Sequence, residues 1–226
     1  GGHVSFTSPI TFDSMVDDYI NVRKDPDLND FMSSLPQIST WGDLDYGERG
    51  GGSSWALKGD SYLAFSLFWP NSSHKTYNYT FFDYGTYQRY AYNDVDVFLL
   101  DSKTFKSDNN ATLYGDKQIE RLFQEIKNNV TTFTIIASPS PFTFESKESF
   151  MNYKKQFDYF MYRLRISGAN GIILLSGGST DDSTRINKYD LTQKNWKGKV
   201  KPFYPLYEFN ISSLGQNNFS SVSVNG

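Results

Sequence analysis

The sequence contains no cysteine. Disulfides and thiolate metal sites are therefore excluded, although a domain with a core of this size can be stable outside a cell without them. No apolar run approaches the roughly 20 residues that span a bilayer. The longest, Gly171 to Leu175 with its neighbours, has the length of one buried strand. Basic stripes are missing too: a net charge of −3 and a pI near 5.4 argue against nucleic acid as a partner. Neither an internal repeat nor a low-complexity linker is visible. The chain opens Gly1-Gly2-His3, with no Met and no signal peptide, and reads as a processed or trimmed product.

What is present favours one globular domain. The length is 226 residues with 38% hydrophobic and 21% charged residues, enough for a single substantial core. Aromatics reach 17%, with 16 Tyr and 19 Phe; Tyr suits half-buried sheets, carbohydrate contacts and protein interfaces. Six Asn-X-Ser/Thr sequons occur, at Asn71, Asn78, Asn110, Asn129, Asn210 and Asn218. Composition alone gives about three, so the excess points to N-linked glycans on a secreted, extracellular protein.

Periodicity divides the chain into alternating elements. Phe12, Met15, Val16, Tyr19 and Ile20 recur at helical spacing and predict one helix over 12–31. A Gly- and Asp-rich loop over 41–54 follows, then a helix over 61–68 ended by Pro70. Residues 77–82, 87–92 and 95–100 read as strands separated by Asp83-Tyr84-Gly85 and Asn93-Asp94 turns. The alternation of Tyr84, Tyr87, Tyr90 and Tyr92 suggests a packed sheet face. A helix over 115–128 presents Ile119, Leu122, Phe123 and Ile126 on one stripe. A short strand over 133–137, a helix over 149–165 and a continuous apolar strand over 172–175 complete the pattern. Such alternation indicates an α/β layered domain. Its chemistry is expected in the loops beyond the strand C-termini, here 41–54 and 176–184.

Several segments, in order, resemble the PhoD-like alkaline phosphatase/phosphodiesterase family of metallophosphoesterases. Trp41-Gly-Asp-Leu-Asp-Tyr-Gly47 is similar to its W-D-D-H-D/E-Y-G loop, and Tyr62 to Pro70 to the helix that follows. Phe82-Asp-Tyr-Gly85 with Val97 to Lys103 resembles the hairpin ending in L-D-x-R, and Leu113 to Gln118 the L-G-x-x-Q helix start. Ile172 to Gly177 resembles the strand leading into G-D-V/R-H, and Tyr204 to Gly215 the Y-P-L-Y-D-x-T-S-S-G-L close. The resemblance covers residues 12–215 and implies the C-terminal two-thirds of such a domain. The implied fold is an α/β two-sheet sandwich flanked by helices and lacking the N-terminal βα portion, so that residues 1–226 form one domain, partial at its N-terminus. In the active family, carboxylates and imidazoles on these loops hold two or more metal ions that activate water.

The departures fall on that chemistry. Where the family motif has its metal-loop histidines, this chain has Leu44 and Thr180, neither of which offers an imidazole ligand. Gly42 and Gly178 stand where the family has Asp, although Asp43 and Asp45 remain. Asp181 and Asp182 are shifted in register, and the two histidines, His3 and His74, match no family ligand. The first metal motif has no counterpart in Gly1 to Thr11, and Lys103 replaces an arginine, losing its bidentate geometry. Structural roles compete at each acid: Asp43 and Asp45 as turn formers, Asp101 as a loop anchor, Asp181-Asp182-Ser183 as a solvated turn or helix start. Gly177-Gly178 reads as a tight turn.

The expectation is a catalytically inactive, secreted PhoD-like homologue with no metal, no cofactor and no catalytic residue. Self-association, or pairing with a cleaved N-terminal piece, would cover a sheet edge left open by the absent strand, giving oligomers or filaments. The alternatives are a divergent phosphatase using Asp43, Asp45, Asp101 and Asp181 with Ca²⁺ or another divalent metal, and a sugar- or phosphate-binding module in the old cleft.

Overall fold

The structure is a computed structural model that describes residues 4–69, 85–107, 109, 111–127, 131–169, 171–179, 184–189 and 205–212. The N-terminal portion is helical: α1 (Phe12–Val22), α2 (Pro26–Ser34), the single turn α3 (Asp43–Tyr46) and α4 (Lys58–Phe68). The predicted helix over 12–31 is two helices. Pro26 cannot continue α1 because it lacks an N–H. It sits instead in the first turn of α2, where Asp25 caps the helix by accepting from Leu28 N at 2.9 Å.

The C-terminal portion alternates β1 (Gln88–Tyr92), β2 (Val95–Leu99), α5 (Asp116–Lys127), β3 (Phe133–Ser138), α6 (Lys154–Ile166), β4 (Ile172–Ser179), β5 (Arg185–Tyr189) and β6 (Leu206–Ser212). A 3₁₀ turn, Phe150–Asn152, leads into α6. The strands form one six-stranded sheet in the order β1-β2-β3-β4-β6-β5. The four central strands are parallel, and β1 and β5 flank them antiparallel. The hairpin between β1 and β2 turns on Asn93, whose φ of 50° lies in the left-handed region that Asn tolerates. A second sheet is not among the described residues.

Burial explains which periodicities held. Ile119, Leu122, Phe123 and Ile126 of α5 and Phe157, Phe160 and Leu164 of α6 share one core with Phe98, Ile136, Ile172, Leu174 and Leu206 from one face of the sheet. The helical portion has its own core around Trp41, which meets Tyr46, Tyr62 and Phe65 edge-on at 5.0, 6.1 and 5.5 Å. The alternate sheet residues, Val97, Ile135, Ile173, Leu175 and Phe209, are only partly buried and belong to neither core. The Tyr alternation does not make a packed face: Tyr92 is 77% exposed, and Tyr84 lies outside the described residues. No described helix is long and apolar enough to cross a membrane.

Candidate functional site

Because β2, β3, β4 and β6 run parallel, their C-terminal ends meet along one edge of the sheet, where α/β proteins place their sites. Asp101, just past β2, is completely buried. Its Oδ1 accepts from Lys103 N at 2.8 Å and Thr104 N at 2.9 Å. Its Oδ2 accepts from Thr86 N at 2.8 Å and Thr104 Oγ1 at 2.6 Å. Gly85 must be glycine here, since a Cβ would stand 2.6 Å from that Oδ2. Gln118 of α5 clamps the same residue from behind, donating to Asp101 O and accepting from Asp101 N. Asp101 is therefore a loop anchor that fixes the turn 101–106, and its oxygens are spent on that turn.

The turn carries Lys103 to the centre of the cluster. Its Nζ donates to Asp43 Oδ1 at 2.7 Å and Glu148 Oε2 at 2.8 Å, with the lysine side chain only 2% exposed. Asp43 Oδ1 also accepts from Gly50 N at 2.8 Å, which folds the 41–54 loop back on itself. Lys106 Nζ donates to Gly50 O at 2.7 Å and reaches Glu148 Oε1 at 3.4 Å. The loop lies tightly against this turn: Ser53 N donates to Lys106 O at 2.8 Å, and a Cβ on Gly52 would stand 2.6 Å from the same carbonyl. Asp45, fully buried, accepts from Gly42 N at 2.5 Å and closes α3. Its charge, after burial, helps push the Tyr19 hydroxyl well above its ordinary range. Leu44 is half-buried.

Beyond β3 the described loop also brings buried uncharged groups to this edge of the sheet. Ser140 Oγ donates to Ser102 Oγ at 2.9 Å, and Tyr114 OH donates to Ser138 Oγ at 2.8 Å. Burial is the main cause that pushes the Tyr114 hydroxyl far above its usual range. Tyr153 is pushed up to about 12, first by burial and then by the Glu148 charge. Glu208 of β6 is buried and accepts from Phe142 N at 2.8 Å, Thr143 N at 2.6 Å and Ser176 Oγ at 2.5 Å. It ties the β3–α6 loop to β4 and β6.

The predicted loop over 176–184 begins later than expected, because β4 continues through Ser179 with a register shift between Ser176 and Ser179. Gly178, at φ +76°, absorbs the irregularity; a Cβ there would approach Pro139 O at 2.9 Å. Thr180, Asp181, Asp182, His3 and His74 lie outside the described residues, as do Asn71, Asn78, Asn110, Asn129 and Asn218. Asn210 is described and is 2% exposed, with Nδ2 donating to Ser176 Oγ and Gly177 O, each at 2.9 Å. The folded chain uses that amide as an internal donor, which argues against Asn210 as a glycan acceptor.

These contacts decide the fit to a metal centre. A hard divalent ion needs several oxygen or imidazole ligands converging on one point. No three His, Cys, Asp or Glu side chains are so grouped among the described residues. Asp45 and Asp101 serve backbone N–H groups, and the point between Asp43 and Glu148 is taken by an ammonium. The described residues do not fit the metal centre that the resemblance implies.

With this geometry in view, comparison with solved structures decides the fold. The fold is similar to that of PhoD. The match has a TM-score of 0.74 at 16% sequence identity and covers 92% of this chain. It covers 45% of the PhoD chain, so this chain spans less than half the length of that structure. No protein-family model and no curated protein sequence matches. The likeness to PhoD therefore rests on backbone architecture, with the site chemistry described above left to this chain's own residues. No sequence pattern singles out Glu148, Lys106 or Glu208 as a site residue. Glu208 has only its place in the Tyr204–Gly215 segment as a signal; Glu148 sits in a loop with no motif around it.

Proposed function

We propose that this chain is a non-catalytic protein of PhoD-like fold, corresponding to the C-terminal portion of that family's domain, with a structural role in a secreted, glycosylated assembly. One observation carries the non-catalytic reading: each described acid that would serve a metal is committed elsewhere. Asp45 and Asp101 hold backbone N–H groups, and Asp43 holds Lys103. A metallophosphoesterase lowers its barrier by metal-bound water and by cations at the phosphoryl oxygens, and an acid locked in its own loop supplies neither.

The assembly role is supported by the sheet. Parallel strands are ordinarily covered on both faces, yet among the described residues Val97, Ile135, Ile173, Leu175 and Phe209 are only partly buried and stand outside both cores. A second copy of the chain, or a separate N-terminal piece, is the occupant we propose for that face, completing a two-sheet arrangement. Asn71, Asn78, Asn110, Asn129 and Asn218 are the proposed glycan acceptors. Hydrolysis of an aryl phosphate ester, assayed with Ca²⁺, Mn²⁺, Mg²⁺ and Zn²⁺ in turn, is expected to stay at the buffer rate. Metal-stimulated turnover that disappears in Asp43→Asn would establish the divergent phosphatase instead.

A further inference from the structure

Lys103 is the one Lys or Arg among the described residues that is fully buried. A buried ammonium is costly unless paired, and this one is paired twice, at 2.7 Å to Asp43 and 2.8 Å to Glu148. The carboxylates come from loops 105 residues apart in sequence (148 minus 43), so nothing local brings them together. They are also unlike the lysine in exposure: their side chains are 34% and 31% exposed, against 2% for Lys103. The charge thus reaches the carboxylates from inside the protein, while solvent reaches them from outside.

We propose that Lys103 is the resident cation of this cluster: its ammonium neutralises Asp43 and Glu148 at the point a divalent ion would share between them, and removing its charge opens that point to divalent cations. The proposal rests on the non-catalytic reading above and extends it to the charge balance of the cluster. Two like charges held by separate loops repel one another unless a cation lies between them. A fixed ammonium does this without a binding equilibrium, so the loops close regardless of ion supply. The two sources of charge also exclude each other, since a dication beside a buried ammonium is strongly repelled. Lys106, 3.4 Å from Glu148, adds to that exclusion from the rim.

Thermal unfolding of the full chain with and without millimolar Mn²⁺ or Ca²⁺ tests this. Wild type is expected to melt at the same temperature in both. Lys103→Gln should melt lower by on the order of 10 °C and regain a substantial part of that loss on adding the ion. Lys103→Gln/Lys106→Gln should respond more strongly, and Lys103→Gln/Asp43→Asn not at all. A wild type stabilised by the ion as much as the variant, or a folded Lys103→Gln indifferent to it, overturns the proposal. If Lys103→Gln does not fold, calorimetric titration of wild type with Mn²⁺ decides: absence of binding supports the proposal, and stoichiometric binding lost in Asp43→Asn overturns it. A folded Lys103→Gln without metal response, in a protein without phosphatase activity, sinks this inference alone and leaves the non-catalytic reading standing.

Discussion

Asp101 and Lys103, two residues apart, divide the work of the candidate site between structure and charge. Asp101 offers no free oxygen to a ligand, because Thr86, Lys103 and Thr104 take both. Its removal would leave three backbone N–H groups buried without partners, and each such group costs about 1–3 kcal/mol. Asp101→Ala is therefore expected to lose about 3–5 kcal/mol of stability in urea unfolding, at the large end for a single substitution. A loss under about 1 kcal/mol would show that the anchor is dispensable. Leu44, by contrast, changes chemistry without disturbing its loop: it is half-buried beside Asp43 and Asp45 in α3, where the resemblance implies an imidazole.

Among the elements, the α5–α6 layer carries the aromatic core that holds the strand ends in place. Phe160 lies at its centre, fully buried, with rings of Phe123, Phe142 and Phe150 at 5.5, 5.9 and 5.4 Å. Phe160→Ala is expected to cost about 3–5 kcal/mol, read as a fall in the denaturant midpoint at constant slope. A changed slope would mean instead that the sheet loosens before it unfolds.

The stripe on α5 was legible in the sequence because its burial is one-sided, so periodicity alone reports it. Continuous strands such as β4 were legible by composition, but their ends were not: β4 runs on through Ser176-Gly-Gly-Ser179, where glycines argue for a turn. The break at Pro26 was readable and was overridden by the apolar spacing around it. β5 carries no strand pattern of its own, because Arg185–Tyr189 is half polar, and among the described residues it pairs with β6. The site was half legible. The loop positions 43–45 and 101 came from motif order, whereas Glu148 meets Lys103 only through the fold, at a separation no local pattern encodes.

At the scale of the whole molecule, the described residues cover one face of the parallel sheet with a core and leave Val97, Ile135, Ile173, Leu175 and Phe209 on the other face only partly buried. Ile173, near the start of β4, lies on that second face between Ile135 and Tyr207. Ile173→Lys is expected to shift the protein to a smaller species in sedimentation velocity while its circular dichroism stays native, since a charge on an interface core is far more costly than one facing water. An unchanged sedimentation profile with native folding would place the contact elsewhere.

The likeness to PhoD is a likeness of backbone, and the central claim is that the backbone has outlived the metal centre it resembles. Metal content of the purified protein, measured by mass spectrometry after gel filtration without chelator, tests that claim most directly. The account predicts far less than one divalent ion per chain, with no difference between wild type and Asp43→Asn; a stoichiometric ion in wild type that is lost in Asp43→Asn would contradict it.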